Sequence, residues 1–141
     1  MQSYPLEDVQ GIYREVSQTG FCFIIEVDGR PIGECWLQEM NIDRILARHP
    51  DLDCRRIDLV IGEKSLWSRG HGTDEIRTLT RWGVEVEGAD KIYGAGVSDY
   101  NPRSRRAFEK AGYVEEARFP EPPGLKARWS CDMVCEREDH P

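Results

Sequence analysis

The sequence contains no long apolar run and no recognisable leader peptide. Its longest apolar stretches, at residues 22–27 and 59–61, fall far short of the roughly 20 residues that a membrane-spanning helix needs. The N-terminal residues, MQSYP, lack the basic and apolar regions of a secretory signal. We therefore expect a soluble, cytoplasmic protein without a membrane partner, and the 141 residues fit one domain spanning positions 1–141.

Positive charge is also scarce. Asp and Glu number 26 against 19 Lys and Arg, which gives a formal net charge of −7. Such a field repels nucleic acid phosphates and anionic lipids and attracts cations. We expect no nucleic acid partner, and a small cationic molecule is the kind of ligand that this charge favours.

The cysteines do not form the patterns of disulfide or zinc proteins. There are five of them, an odd number, and most lie in apolar stretches where a reduced thiol acts as a small hydrophobe. Cys131 and Cys135 share one face of a predicted strand but lie too far apart to bridge, and no second Cys or His pair completes a zinc site. We expect a reducing compartment and no metal.

Hydrophobic spacing predicts an α/β chain of alternating elements. Helical spacing covers residues 5–19, and strands at 21–27 and 31–37 form a hairpin that turns at Asp28-Gly29. A loop at 38–53 follows, with room for one helical turn at 42–47. The later predictions are a strand at 55–62, a helix from a Thr73 cap to residue 86, a strand at 91–97, a helix that Asn101-Pro102 begins and residues 111–112 end, strands at 113–119 and 125–135, and a polar tail. This order predicts helices packed on one mixed sheet.

A glycine-rich turn, WSRGHGT at residues 67–73, joins a predicted strand to the next helix. Small residues at a helix start allow backbone amides to close around an anion such as a phosphate. A lone Gly-x-Gly is about as often an ordinary turn, so this pattern leaves both readings open. A dinucleotide fingerprint would need glycine at Glu75, and a P-loop would need Lys-Ser or Lys-Thr after Gly72, so both of those motifs are excluded.

The turn resembles the CoA-binding signature of the GNAT superfamily of N-acetyltransferases, Gln/Arg-x-x-Gly-x-Gly/Ala. Residues 67–72 match it except at the first position, where Trp67 replaces Gln or Arg. A second and more specific signature, NPRSRRAFEKAGY at 101–113, is typical of the branch that acetylates small amines and protein N-termini. The resemblance covers roughly residues 21–135.

The resemblance implies a fold, a co-substrate and a set of contacts. The fold is a mixed, mostly antiparallel sheet flanked by helices, whose fourth and fifth strands splay apart to admit the pantetheine arm of acetyl-CoA. Asn101 and Ser104 would contact that arm, and a backbone N–H near Ile61 would bind the oxyanion that forms on attack. The pyrophosphate would contact the turn formed by Trp67, Ser68, Arg69, Gly70, His71, Gly72 and Thr73.

Asp58 is the candidate catalytic residue. It interrupts an apolar strand shortly before the glycine-rich turn, where a carboxylate can orient an ammonium group and accept its proton. The alternative is an exposed strand residue paired with Arg55 or Arg56. The Ile57-Asp58 pair, twelve residues before the first glycine of the motif, most resembles the aminoglycoside 6'-N-acetyltransferases, in which this aspartate is the expected base.

The acceptor site and the general acid are less defined. Asp53 and Asp58 could bind a cationic sugar, with Trp36 providing a ring face. The family usually has a tyrosine in the second signature that protonates the departing thiolate, but this chain has Phe108. Tyrosines that could replace it are Tyr93, Tyr100 and Tyr113.

Several readings of the function stay open at this stage. The leading one is acetylation of an aminoglycoside-like amine, and an N-terminal amine, such as that of a ribosomal protein, is second within the same chemistry. A non-catalytic acyl-CoA-binding module is the alternative outside it. The family's usual first strand and helix have no counterpart before residue 1, so a partner chain could complete the acceptor wall and we expect a possible homodimer.

Overall fold

Six strands form one sheet in the computed structural model, which describes residues 20–62 and 70–140, the Ile61 side chain excepted. The order across the sheet is β1-β2-β3-β4-β6-β5, and all neighbours are antiparallel except β3 and β4. The strands are β1 (Gly20–Val27), β2 (Arg30–Glu39), β3 (Cys54–Ile61), β4 (Lys91–Ser98), β5 (Val114–Pro120) and β6 (Trp129–Glu136). The helix predicted at 5–19 lies outside the described residues.

The predicted hairpin forms one edge of this sheet. Asp28 and Gly29 both have positive φ, at 53° and 77°, which is the combination that a tight two-residue turn between right-twisted strands requires. The fold class and the hairpin predicted from the sequence are therefore confirmed. The loop after β2 contains α1 (Asp43–Arg48), close to the single helical turn expected there.

The second helix, α2 (His71–Glu85), begins earlier than predicted. The prediction that Thr73 caps it is wrong, because the capping position belongs to Gly70, whose φ of 86° is open to glycine at little cost. Thr73 instead lies in the first turn with only 8% of its surface exposed. Gly70 therefore provides the change of chain direction at the start of α2, where the sequence predicted a hydroxyl cap from Thr73.

The third helix, α3 (Pro102–Lys110), has the predicted start and end. Asn101 Oδ1 accepts a hydrogen bond from the Ser104 amide at 3.3 Å, and Pro102 occupies the first turn, where its missing N–H is not needed. Gly112 follows the helix with φ of 95°, as a left-handed terminator should.

The C-terminal part of the chain differs from the prediction in its boundaries. The last strand begins at Trp129 and not at residue 125, because residues 121–128 form a turn closed by a bond from Glu121 N to Arg128 O at 2.9 Å. The predicted polar tail contains a 3₁₀ turn (Arg137–Asp139), and the Arg137 side chain donates to the backbone carbonyls of Gly88 and Ala89.

The main core lies between the sheet and the two longer helices. Leu37 and Ile57 on the sheet pack with Ile76 and Leu79 of α2, all of them buried. Gly83 lies at this contact, and a Cβ there would come 2.7 Å from Ile92 Cδ1. The glycine that weakens the helix in isolation therefore allows α2 to approach the sheet closely.

The opposite face of the sheet carries α1 and a smaller core. Ile45 of α1 packs with Tyr93 and Val134, and each is buried. Beside it Glu116 accepts hydrogen bonds from Tyr93 Oη at 2.7 Å and Arg48 at 2.9 Å, and it lies 3.1 Å from His49 Nε2. Polar bonds and apolar packing together fix α1 on the sheet.

Among the described residues, no helix has both the length and the apolar character that crossing a bilayer would require.

Replacing Glu116 by Gln should destabilise the fold by about 1–3 kcal/mol at neutral pH, because three donors lose a charged acceptor. Burial by itself raises the pKa of the Glu116 carboxyl, but bonds from Tyr93, Arg48 and His49 outweigh burial, and the pKa ends below its ordinary 4.5. The carboxylate therefore stabilises the fold fully above that value, and this contribution is lost as the pH falls through the lower folded-state pKa.

Urea unfolding between about pH 3 and pH 7 checks this expectation. The Glu116→Gln protein should lose less stability on acidification than the wild type does. Glu138→Gln, at an exposed position of the 3₁₀ turn, is the control and should keep the wild-type slope. An equally steep acid limb in Glu116→Gln would contradict the assignment.

Candidate active site

The two parallel strands of the sheet separate along their length. In the described part of the chain, β3 and β4 pair only at Cys54–Arg56 against Lys91–Tyr93. Beyond Arg56 the strands diverge, although β3 stays paired with β2 as far as Ile61 and β4 stays paired with β6. The splay implied by the family resemblance is therefore present at this position.

A bulge in β4 begins where the splay begins. Gly94 pairs with Met133 and Val97 pairs with Cys131, so two residues, Ala95 and Gly96, stand opposite Asp132 alone. Gly96 has a positive φ of 65°. A bulge of this type bends its strand and increases the local twist, which turns β4 away from β3.

A cavity of about 170 Å³ lies in the gap between the strands. This is comparable to cavities of about 150 Å³ that hold a benzene-sized group, so an acetyl thioester end would fit. The lining comes from both strands and from α3: Ile57, Asp58, Leu59, Gly94, Ala95, Gly96, Val97, Ser98, Asn101, Ser104 and Phe108.

Backbone amides of β3 face this gap. Gly62 N donates to Ile32 O at 2.7 Å, which assigns the even-numbered positions of β3 to hydrogen bonds with β2. The amides of Leu59 and Ile61 therefore point the other way, towards β4. The backbone N–H of Ile61, predicted as the oxyanion donor, points in the required direction. The N–H of Leu59 points the same way, and Leu59 itself lines the cavity.

The start of α2 supplies further amides. Its first intrahelical bond runs from Asp74 N to Gly70 O at 2.9 Å, so the amides of His71, Gly72 and Thr73 precede the helical ladder. Such a helix start favours an anion. Of the predicted pyrophosphate contacts, His71, Gly72 and Thr73 have such amides and Gly70 caps the helix, while Trp67, Ser68 and Arg69 lie outside the described residues.

Asp58 lies on the cavity wall and is held in place by two side chains. Its carboxylate accepts bonds from Arg56 Nε and Nη2, both at 3.0 Å, and from Gln38 Nε2 at 3.0 Å. About a third of the side chain, 36%, stays exposed. The pairing with Arg56 is the one that the alternative, non-catalytic reading of Asp58 predicted. A carboxylate has about four acceptor positions and these bonds use three, so about one position stays open.

The two other predicted acceptor residues have different surroundings. Trp36 stands directly across from Asp58 on the neighbouring strand and shares its face of the sheet, and its Nε1 is buried without a hydrogen-bond partner among the described residues. Asp53 precedes the opposite end of β3, roughly 16 Å away by strand length, where it pairs with Arg55 at 2.7 Å. The structure does not bring Asp53 to the cavity.

Phe108 occupies the place where the family usually has tyrosine. Its ring lies on Gly94, so closely that a Cβ at Gly94 would come 2.4 Å from Phe108 Cζ. The ring also packs edge-on against Tyr113 at 5.0 Å between centroids. An apolar ring therefore closes this side of the cavity.

The three tyrosines suggested as replacements are positioned differently from one another. Tyr93 is buried in the smaller core on the α1 face of the sheet, and its hydroxyl donates to Glu116. Tyr113 is buried, and its hydroxyl lies 2.6 Å from Thr80 Oγ1. Burial raises the pKa of both phenols well above the ordinary value of 10, with Glu116 adding to the effect at Tyr93. Tyr100 is 51% exposed and directly precedes the cavity residue Asn101. Of the three, only Tyr100 has an accessible phenol.

Several residues of the site were missed by the sequence analysis. The cavity wall at 94–98 includes the run Gly94-Ala95-Gly96, and adjacent small residues inside a strand are a recognised signal of a bulge or of close backbone approach. Asp132, which interrupts the apolar run of β6 just as Asp58 interrupts β3, was missed too. No group of three or more His, Cys, Asp or Glu side chains in the described ranges is arranged to hold a metal ion.

Comparison with known proteins assigns the family. The profile of the acetyltransferase (GNAT) domain matches residues 2–114, which is most of the chain. The chain belongs to the GNAT acetyltransferase family. No curated protein sequence gives a significant match.

Solved structures agree with this GNAT assignment. Aminoglycoside 6'-N-acetyltransferase AAC(6')-Ib, solved with coenzyme A and kanamycin, is 25% identical, with a TM-score of 0.72 over 96% of this chain and 78% of that chain. The same enzyme with ribostamycin and coenzyme A gives the same identity and TM-score over 96% and 75%. A spermidine N-acetyltransferase from Vibrio cholerae, in its F149A form, is 18% identical with a TM-score of 0.75 over 99% and 84%. At 18% identity, the spermidine N-acetyltransferase supports the fold of this chain and does not bear on its substrate.

In this GNAT enzyme, Gly94→Ala should disturb the cavity and the fold together. The added methyl group meets the Phe108 ring, so we expect a loss of about 1–3 kcal/mol in the free energy of unfolding, as for an overpacked core. Urea titration measures the loss. The double variant Gly94→Ala/Phe108→Leu, which shortens the opposing side chain, should recover most of it, and no recovery would show that the contact is not the cause.

Proposed function

We propose that this GNAT enzyme transfers the acetyl group of acetyl-CoA to a primary amine of a small cationic molecule, by direct attack of the amine on the thioester. The observation that supports it best is the cavity between the diverging strands, with Asp58 on its wall. The AAC(6')-Ib structures, similar over 96% of this chain, contain coenzyme A. A donor bound in the same way would place its thioester in this cavity.

The residues present suit that donor. Small side chains at Ala95 and Gly96 leave backbone accessible along one wall, and the amides at the start of α2 would bind the pyrophosphate. On attack, a bond forms between the amine nitrogen and the carbonyl carbon, and the carbon–sulfur bond then breaks to release the thiolate. The Leu59 and Ile61 amides are directed to stabilise the negative charge on the carbonyl oxygen.

Asp58 would orient the amine and accept its proton. Arg56 and Gln38 hold the carboxylate by three hydrogen bonds, which leaves about one acceptor position for an ammonium group. Charge attraction alone would keep the amine protonated and unreactive, so the productive role is proton removal, directly or through water. The accessible Tyr100, or water, would protonate the thiolate.

An aminoglycoside, acetylated at a 6'-type amine, is the acceptor that we favour. Its support is the similarity to AAC(6')-Ib, which has been solved with kanamycin and with ribostamycin, and the net charge of −7, which attracts polycations. An N-terminal amine of a protein, such as a ribosomal protein, is the next candidate. Trp36, beside Asp58 on the same face, would offer a ring surface to the acceptor.

A non-catalytic acyl-CoA-binding module is the second candidate function. One observation favours it: Phe108 stands where the family usually has a tyrosine, and the phenols of Tyr93 and Tyr113 are engaged elsewhere. Such a module would bind acetyl-CoA in the same cavity without transferring the acetyl group.

Thiol release from acetyl-CoA across a panel of amines separates the two candidates. The panel should include kanamycin, ribostamycin, spermidine and a peptide with a free N-terminus. We expect turnover with the aminoglycosides, and Asp58→Asn should lower kcat/KM by about 10²- to 10⁴-fold, because general base catalysis is lost. Calorimetry should show that the variant still binds CoA.

The matched control for this experiment is Glu87→Gln. Glu87 also pairs with an arginine of β3, Arg55, at 3.3 Å, but it does not line the cavity. This variant should keep wild-type kcat/KM. Binding of acetyl-CoA without turnover on any amine would favour the binding module, and an equal loss in both variants would remove Asp58 from the mechanism.

The location is proposed to be the cytoplasm. Cys35, Cys54, Cys131 and Cys135 carry buried free thiols, and burial, with smaller contributions from Glu75 and Cys22, raises the pKa of Cys35 to about 12. A buried thiol of this kind is unreactive, which agrees with a reduced protein.

A homodimer is also proposed. Edge strand β1 exposes Phe21, Phe23 and Ile24 by 39%, 37% and 52%, and neighbouring exposed apolar side chains at a sheet edge favour association. Light scattering at micromolar concentration should give the mass of two chains. Ile24→Lys, which places a charge on the most exposed of the three, should shift the protein to one chain, and a monomeric wild type would refute the proposal.

A further inference from the structure

Asp132 is a fully buried carboxylate in the middle of β6. Its side chain is 0% exposed, and it accepts four hydrogen bonds. Two come from Arg44, Nε at 3.0 Å and Nη2 at 2.7 Å, and one comes from Arg48 Nη1 at 3.1 Å. The fourth comes from the backbone amide of Gly96 at 3.0 Å.

The fourth bond distinguishes Asp132 from an ordinary ion-pair partner. Gly96 is the bulged residue of β4, with φ of 65°, and no β6 residue pairs with it in the ladder that joins Gly94 to Met133 and Val97 to Cys131. A bulge leaves an amide without a ladder partner. The Asp132 carboxylate supplies the missing acceptor, so the side chain of one strand completes the backbone bonding of its neighbour.

The bulge that Asp132 completes lies on the cavity wall. Gly94, Ala95 and Gly96 all line the cavity, and the last residue of β4 that pairs with β3 is Tyr93. The parting of β3 from β4 therefore starts at the residue next to the bulge. A bent β4 turns away from β3, and its path at this point depends on the acceptor that holds the Gly96 amide.

The same carboxylate also fixes α1. Arg44 and Arg48 both belong to that helix, which lies in the loop between β2 and β3. Arg44 in turn stacks on the Phe119 ring, with Cζ 4.4 Å from the centroid. Asp132 thus joins the loop between β2 and β3 to the bulge on the cavity wall.

Asp132 stays ionised in this environment. Burial alone raises the pKa of a carboxyl group, but the Arg44 hydrogen bonds, the Gly96 amide and Arg48 outweigh burial, and the pKa of Asp132 lies below its ordinary 3.8. The carboxylate keeps all four of its donors because it stays charged.

We propose that Asp132 is a positioning residue for the donor site: by accepting the Gly96 amide it fixes the β4 bulge and so sets the opening between β3 and β4 that receives the thioester end of acetyl-CoA. The role in binding acetyl-CoA rests on the proposed function. The role in holding the bulge rests on the geometry of Asp132 and Gly96 alone.

A single replacement of Asp132 would take a charged acceptor from both Arg44 and Arg48, whose side chains are 38% and 28% exposed, and would risk destabilising the fold. Two double variants avoid this, because both replace Arg44 by Met and leave Arg48 its bond to Glu116. Asp132→Asn/Arg44→Met keeps a carbonyl oxygen that can accept the Gly96 amide. In Asp132→Leu/Arg44→Met, the leucine side chain is close to asparagine in size but has no oxygen that could accept the Gly96 amide.

Three measurements compare this pair: calorimetry with CoA, steady-state kinetics, and exchange of the Gly96 amide hydrogen observed by NMR. The Leu variant should bind CoA about tenfold more weakly than the Asn variant, a difference of about 1.4 kcal/mol, with a similar rise in KM for acetyl-CoA. KM for the amine should change less than about threefold, and the Gly96 amide should exchange at least about tenfold faster in the Leu variant.

Each outcome decides between defined alternatives. Equal CoA affinity in two folded variants overturns the positioning role in the donor site. An equal Gly96 exchange rate in both overturns the assignment of Asp132 to the bulge. If the wild type itself binds no CoA, the proposed function fails, and the exchange measurement still tests the bond between Asp132 and Gly96.

Discussion

The parting of two parallel strands is the constraint on which this molecule depends. Backbone amides and carbonyls in a sheet normally satisfy one another, and leaving them unpaired inside a protein is costly. β3 and β4 give up their mutual hydrogen bonds beyond Arg56, while each keeps its other neighbour. The amides that remain along β3 are donors at a fixed position and direction. A carbonyl oxygen that gains negative charge is the partner for which such donors are best suited.

Close packing of two helices on the sheet surrounds the gap. The Phe108 ring lies directly on Gly94, and α2 approaches the sheet at Gly83, where a side chain would collide with Ile92. Both contacts require glycine on one side and a large apolar group on the other. The packing of α2 and α3 on the sheet therefore adds to the β4 bulge in holding the strands apart.

The charges of the site are balanced locally although the chain is acidic as a whole. Asp58 is paired with Arg56, and Asp132 is paired with Arg44 and Arg48. The excess of acidic residues, −7 overall, produces a long-range field that attracts cations. Paired carboxylates fix geometry, and in the proposed reaction Asp58 would orient the amine, so attraction over distance and recognition at contact would be carried by different residues.

Local rules predicted the features whose causes lie within a few residues of one another. The hairpin at Asp28-Gly29 and the helix start at Asn101-Pro102 are of this kind, because a turn conformation or a cap is decided by adjacent residues. The start of α2 was misplaced by the same kind of reasoning. Gly70 and Thr73 are both reasonable starts, and the choice of Gly70 buries Thr73 in the first turn.

The sequence by itself determined the family, the order of the elements over the described residues and the position of Asp58 in a strand shortly before the glycine-rich turn. Tertiary structure alone decided which charges belong to the site. Asp53 and Asp58 look alike in sequence, but Asp53 precedes β3 while Asp58 lies within it on the cavity wall. Asp132 gained its importance from donors at residues 44, 48 and 96, far from it in the chain. Contacts between distant residues arise only when the sheet assembles, because no local periodicity records which strand will lie beside which.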